Sequence, residues 1–311
     1  MTGHCQPALV ASGFTGGALA VGFDSVYVDD YGSGGRLLRI AKSDGTITPI
    51  ASGSIFDIKV FGSLLYWTTS TFGGTDGRVS RAALDGTSRQ DIATGQATAS
   101  SLFVDASGVY WLVGNGATDG AVMRLGPTDT APIAFASMLP RPNSIAGDSN
   151  NVYWMTIGAV GDGSDGAVYA KPKSGGSIVQ IAPAQHNATG TGMSITTFGG
   201  TVYWDPRGLG STDGAVRSAL PVSGATVTEY ANSQVRPQGI AADGSFVYWI
   251  DGGNGTDGLL QKASLTTKVV TQLVGGLANP GGLGLDGSVL YFTTQGNSSP
   301  AISGGLHRLV L

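Results

Sequence analysis

The chain has 311 residues, a formal net charge of −4, 51 glycines and a charged fraction of only 12%, about half the roughly 25% of an ordinary soluble domain. Such a composition favours tight turns over solvated helical faces. Without a Lys/Arg cluster to track a phosphate backbone, nucleic acid is excluded as the expected partner, and without an apolar run near ~18 residues so is a bilayer span. The single Cys5 allows no internal disulfide.

In chain order, residues 1–5 read as a flexible tail. Thr2-Gly3-His4-Cys5 departs from a lipoprotein attachment site at His4, and the N-terminus lacks the charged and apolar regions of a signal peptide. A sequence rich in Gly, Ser, Thr, Ala and Asn and poor in Lys and Glu points to an extracytoplasmic setting: periplasmic, surface or secreted. A strand, QPALVAS (6–12), follows without a hairpin partner nearby. Seven related units then succeed one another. Their marker pairs are Tyr27-Val28, Tyr66-Trp67, Tyr110-Trp111, Tyr153-Trp154, Tyr203-Trp204, Tyr248-Trp249 and Tyr291-Phe292, with tyrosines 39, 44, 43, 50, 45 and 43 residues apart. That is the period of a four-stranded propeller blade.

Eight residues before each tyrosine stands a branched aliphatic: Leu19, Ile58, Leu102, Ile145, Ile195, Ile240 and Leu283. Each unit reads as an inner strand such as GIAAD (239–243), a short turn, the aromatic strand, a glycine-rich loop, a third strand such as GRVSRAAL (77–84) and a fourth such as RQDIA (89–93). No segment sustains an apolar period of 3.6. The last unit stops after its third strand, GGLHRLVL (304–311), so the unclaimed strand 6–12 completes it. The expected fold is a single all-β domain, 1–311: a seven-bladed β-propeller of four-stranded blades, closed by its N-terminal strand. All five tryptophans and seven of the ten tyrosines sit in the marker pairs, which therefore read as core between blades.

LYWTT followed by GRVSRAALDGTSRQDIATG, residues 65–95, resembles a YWTD repeat of the lipoprotein-receptor propellers. The likeness extends over all seven units and is fullest in the second. Thr69, Val113, Thr156, Pro206 and Thr294 replace the aspartate of that motif, which Asp30 and Asp251 keep. YWTD propellers have six blades; the count of seven is closer to NHL-type and streptogramin-lyase-like rings. The resemblance implies a β-propeller used mainly for binding, and it carries over no catalytic residue.

Asp76, Asp119, Asp165, Asp213 and Asp257 each precede a glycine at the start of the third strand. An Asp–Gly turn, with the glycine at positive φ, explains the pattern. Calcium is the functional alternative, since Asp162, Ser164 and Asp165 offer neighbouring oxygens; the spacing matches neither an EF-hand nor a nonapeptide repeat. The Asp is missing from the first and last units, which argues against a seven-fold metal ring.

Function is expected where one unit departs from its siblings, on the face shared by the loops into the inner strands and the loops after the aromatic strand. Asp57 and Lys59 flank Ile58 where most siblings have small residues, and they share a face, as a channel-lining ion pair or a ligand-binding pair. Arg141 and Asn143, Arg236 and Gln238, Asp205 and Arg207, and Asp251 stand in nearby loops. Arg141 and Arg236, each before a proline, occupy equivalent places and suit a carboxylate or sulfate. His186 lies in the longest insertion, which also holds the sequon Asn187-Ala188-Thr189.

No GxSxG, HExxH or CxxC occurs, and two of the three histidines lie near the termini. The leading expectation is a non-catalytic binding propeller that recognises a small molecule, glycan or peptide at the channel mouth. Two others stand beside it: a lactonase- or lyase-type enzyme using Asp57, Asp205 or Asp251, with or without calcium, and a structural or assembly module.

Overall fold

The computed structural model describes residues 6–71, 73–114, 116–160, 162–186, 193–208, 212–298 and 301–311. The N-terminal tail with Cys5 and the sequon at Asn187 lie outside them. Apart from a 3-10 turn at Tyr31–Ser33, the regular structure of the described residues is strand. Seven four-stranded antiparallel sheets form a ring.

The opening strand is β1 (Ala8–Ser12). Blade 1 comprises β2 (Leu19–Val21), β3 (Ser25–Asp30), β4 (Arg36–Ala41) and β5 (Ile47–Ser52); blade 2 comprises β6 (Ile55–Phe61), β7 (Leu64–Thr69), β8 (Gly77–Ala83) and β9 (Gln90–Gln96). Blade 3 comprises β10 (Leu102–Asp105), β11 (Gly108–Val113), β12 (Gly120–Leu125) and β13 (Ile133–Leu139); blade 4 comprises β14 (Pro142–Gly147), β15 (Asn151–Thr156), β16 (Ala167–Pro172) and β17 (Val179–Ala182). Blade 5 comprises β18 (Ile195–Phe198), β19 (Thr201–Trp204), β20 (Gly214–Ala219) and β21 (Thr228–Gln234); blade 6 comprises β22 (Pro237–Ala242), β23 (Phe246–Asp251), β24 (Gly258–Ser264) and β25 (Val270–Leu277). In blade 7, β26 (Pro280–Asp286), β27 (Val289–Ser298) and β28 (Ala301–Val310) are joined by β1, which pairs with β28 through Ala8 opposite Arg308 and Ser12 opposite Gly305. The N-terminal strand thus closes the ring, as the leftover strand predicts.

The period of two along a strand explains the marker pairs. In every blade the second residue of the pair lies opposite the inner-strand aliphatic: Ile58 faces Trp67, Leu102 faces Trp111, Ile145 faces Trp154, and Leu283 faces Phe292. Tyr and Trp therefore point to opposite faces of their sheet, and each wedge between blades is filled by the tyrosine of one blade and the tryptophan of the next. Tyr27 packs with Trp67, Tyr66 with Trp111, Tyr110 with Trp154, Tyr153 with Trp204, and Tyr203 with Trp249. Tyr248 meets Phe292, and Tyr291 meets Val28 across the closing seam. Burial of these rings, each removing roughly 150–250 Å² from water, holds the ring together.

One turn expectation is corrected. The glycines of the Asp–Gly pairs are absent from the left-handed region; what requires them is close approach. A Cβ on Gly120 would stand 2.3 Å from Pro142 Cδ, on Gly214 2.4 Å from Pro237 Cδ, and on Gly258 2.6 Å from Pro280 Cδ. The glycine makes room for the proline that opens the next blade. The outermost strands are irregular: β9, β13, β21 and β25 each carry two register shifts against their neighbours, which blunts exposed edges against pairing with other chains.

Candidate functional site

The loops that enter the inner strands and the loops that follow the aromatic strands do share a face, because backbone bonds tie them together. Gly114 N–H donates to Ala97 O, Ile157 to Arg141 O, Gly253 to Val235 O and Gln295 to Asn279 O. The aspartates of the Asp–Gly pairs brace the same rim. Asp76 accepts from Thr71 N–H and its hydroxyl, Asp119 from Gly116 N–H at 2.6 Å, and Asp165 from Ala159 and Val160 N–H at 2.9 and 3.0 Å. Asp162 accepts from Ser164 N–H at 2.9 Å.

The candidate residues fall into three places. In blade 2, Asp57 and Lys59 form an ion pair of 2.6 Å. Asp57 also reaches its neighbour: Oδ2 accepts Leu102 N–H at 2.8 Å and the Ser101 hydroxyl at 3.1 Å. This carboxylate therefore joins blade 2 to blade 3. In blade 4, Arg141 donates through Nε to Gly158 O at 2.6 Å and through Nη2 to Val160 O, while Asn143 sits half-buried on β14 where the register shifts.

Six candidates lie in the sector of blades 5 and 6. Asp205, fully buried, accepts Ser194 N–H on one oxygen; the other is buried and has no hydrogen-bond partner among the described residues. Burial pushes its carboxyl well above the usual carboxylate range. The Ser194 hydroxyl accepts Gly239 N–H at 2.9 Å and so links the two blades. Arg236 donates through Nε to Gly253 O at 2.8 Å, and Gln238 donates to Pro280 O. Asp251 accepts Val235 N–H at 3.1 Å and Gly253 N–H at 3.2 Å, and burial raises its pKa. Arg207 is half-buried; desolvation, then the nearby charge of Arg236, lower its pKa. His186, exposed, presents its carbonyl to Gly208 N–H at 2.8 Å, which ties the insertion to the Arg207 loop.

Arg141 and Arg236 are equivalent, as their shared place before proline predicts. Both have positive φ, 49° and 55°, and both clamp a carbonyl of their own blade's loop. The cation that comes near Arg236 is instead Arg207, from the adjacent blade.

Sequence reasoning missed Asp29. It occupies in blade 1 the place of Asp205 in blade 5, directly after the second marker residue, and accepts Gly17 N–H at 2.5 Å; burial raises its pKa to about 7. Thr68 and Thr293 stand at the same place and accept Asp57 N–H at 3.2 Å and Gly282 N–H at 2.8 Å. An acceptor here caps the amide at the start of the inner strand. The position after the marker pair was the available signal.

The cationic groups of this sector, Arg207 and Arg236, are of the type that pairs with anions. Among the described residues, no group of three or more His, Cys, Asp or Glu is placed to hold a metal, and no helix is long and apolar enough to cross a membrane.

No protein family and no curated protein matches the chain. Solved structures match in fold. A nidogen/laminin complex superposes with TM-score 0.55 at 15% identity, over 77% of this chain and 89% of that one. A computationally designed protein, Ika8, gives 0.61 at 12% identity over 97% and 99%. A puromycin-hydrolyzing peptidase of Mycobacterium tuberculosis gives 0.61 at 16% identity over 93% of this chain and 51% of that one. At such identities the likeness defines a class, the β-propellers, whose members here include both a binding complex and an enzyme.

Proposed function

We propose that the protein is a non-catalytic binding propeller that holds an anionic group of a small molecule, glycan or peptide at the channel mouth over blades 5 and 6, in an extracytoplasmic setting. The observation that carries this reading is that Arg207 of blade 5 and Arg236 of blade 6 lie within electrostatic reach of each other, on blades that the Ser194 hydroxyl ties together through Gly239 N–H. Two guanidinium groups from neighbouring blades suit one anionic group, since a guanidinium fork matches carboxylate, sulfate or phosphate. The likeness to YWTD repeats supports binding rather than turnover.

The carboxylate-enzyme alternative has less support. Both oxygens of Asp57 and of Asp251 accept hydrogen bonds, and Asp205 has no solvent exposure. A general acid or base must reach its substrate's proton.

The test is thermal unfolding with sulfate, citrate, hexuronates and calcium, since a ligand of the native state raises the melting temperature by mass action. The expected result is a shift with an anion that Arg207→Ala abolishes while its own melting temperature stays within a degree or so of wild type. An anion shift that survives Arg207→Ala, or a shift with calcium alone that chelator reverses, overturns the reading.

A further inference from the structure

The opposite face carries a second departure from the repeat. There β2 and β3 are joined by the two-residue turn Phe23-Asp24, with Gly22 N–H donating to Ser25 O at 2.9 Å. The six corresponding turns are Gly62-Ser63, Ala106-Ser107, Ser149-Asn150, Gly199-Gly200, Gly244-Ser245 and Gly287-Ser288. Every sibling opens its turn with Gly, Ala or Ser. Blade 1 alone places a phenylalanine there, and Phe23 is 96% exposed.

The turn is held fast. Lys42 donates through Nζ to Gly22 O at 2.5 Å and to Phe23 O at 3.1 Å, while its backbone N–H donates to Asp24 O at 2.9 Å. The same ammonium pairs with Asp286 of blade 7 at 2.7 Å. One lysine thus binds the carbonyls of Gly22, Phe23 and Asp24. A large aromatic on a turn braced by hydrogen bonds loses less conformational entropy when it docks than one on an unbraced loop.

The charges around Phe23 decide what it docks to. Asp24 and Asp286 are 61% and 51% exposed. The cations that meet them are withdrawn: Lys42 is 13% exposed and Arg39, which reaches Asp24 at 3.1 Å, 29%. Outward, the rim is acidic.

We propose that this turn is the docking knob for a protein partner that offers an apolar pocket edged by Lys or Arg, with Phe23 as the anchor and Asp24 and Asp286 as the matching rim. A buried aromatic anchor inside a polar rim is the arrangement that concentrates binding energy at interfaces, and opposite rim charges add steering and specificity. An anionic lipid surface is disfavoured by the same rim.

The test pans a phage-displayed library of random cyclic peptides against the whole chain. Enriched peptides are expected to combine Lys or Arg with apolar residues. Their affinity is expected to fall about tenfold or more for Phe23→Ser, fall less for Asp24→Asn, and weaken with salt. Phe23→Ser copies the serine that blade 4 carries in its own turn, so its melting temperature is expected to stay unchanged, which separates lost docking from lost folding. The proposal is overturned if no peptide is enriched, if the peptides bind Phe23→Ser equally well, or if they are neutral or acidic. Two parallel measurements assign the surface to other occupants and overturn it equally: Phe23-dependent binding to phosphatidylserine vesicles, or concentration-dependent sedimentation that Phe23→Ser abolishes.

Discussion

Trp111 Nε1 donates to Gln96 Oε1 at 3.0 Å across the wedge between blades 3 and 2. The same bond recurs from Trp249 to Gln234 at 2.9 Å and from Trp204 to Gln185 at 2.8 Å. Where the next blade carries Phe292, which has no N–H, the place of the glutamine is taken by Leu277, packed in the same cluster. The end of the fourth strand is thus matched to the ring it meets. Two tryptophans lack this partner: Trp154, which faces Leu139, and Trp67, whose ring instead carries the Arg89 guanidinium 5.3 Å from its centroid.

The first prediction concerns that match. Gln96→Leu leaves a buried indole N–H unpaired and is expected to cost about 1–3 kcal/mol. In a Trp111→Phe background, where the blade 6 to blade 7 arrangement is reproduced, the same change is expected to cost well under 1 kcal/mol. A double-mutant cycle by urea unfolding reads the coupling directly; equal costs in the two backgrounds refute the pairing.

A second prediction separates structure from chemistry at Asp57. Because its carboxylate accepts Leu102 N–H and the Ser101 hydroxyl from the next blade, Asp57→Ala is expected to destabilise by about 2–4 kcal/mol. Lys59, 38% exposed, is expected to give less than about 1 kcal/mol on replacement by Ala. A melting temperature unchanged in Asp57→Ala contradicts the role as an inter-blade tie and returns the residue to the ligand-binding candidates.

These residues also mark how far the sequence reaches. The seven Tyr-containing pairs, their aliphatic partner eight residues earlier and the unpaired opening strand were enough to read blade number and closure, because each rests on spacing along the chain. The division of Tyr and Trp between different wedges follows from strand alternation and was equally legible. What escaped depends on approach between units. Gly120 is required by Pro142 of the following blade, not by its own turn. Arg207 lies within electrostatic reach of Arg236 although the two hold different places in their repeats, whereas the equivalent Arg141 and Arg236 clamp separate loops. Alignment of repeats reveals equivalence within blades and is silent on contact between them.

The third prediction concerns pH. Asp29 titrates near 7 in the folded chain because burial disfavours its charge, against about 3.9 when unfolded. Between those values the folded state binds more protons than the unfolded one. Its contribution to stability is therefore complete below about pH 4, falls as pH rises, and is lost above about pH 7. A shift of that size corresponds to at most ~4 kcal/mol. Asn retains an oxygen for the Gly17 amide without the titration, so Asp29→Asn is expected to gain on wild type progressively from pH 4 to pH 8. Parallel stability curves for the two proteins across that range contradict the assignment.

The last prediction tests closure. β1 supplies the outer strand of blade 7, and Val10 and Ala11 pack against the cluster of Phe14, Val26, Tyr291 and Leu306 at the seam between the first and last blades. Without β1, the edge of β28 opens from Gly305 to Arg308, and the Gly45 turn of blade 1, in tight contact with Val10 O, loses its support. Deletion of residues 1–12 is expected to lower the melting temperature by more than about 10 °C, since it removes several apolar contacts and a strand's ladder, and to produce concentration-dependent association through the freed edge. Adding the missing strand in trans as a peptide of residues 6–14 is expected to restore a monomer, because a strand that fills an edge supplies the same main-chain bonds whether or not it is covalently attached. A deleted chain that stays monomeric and melts like the whole protein places closure elsewhere in the ring.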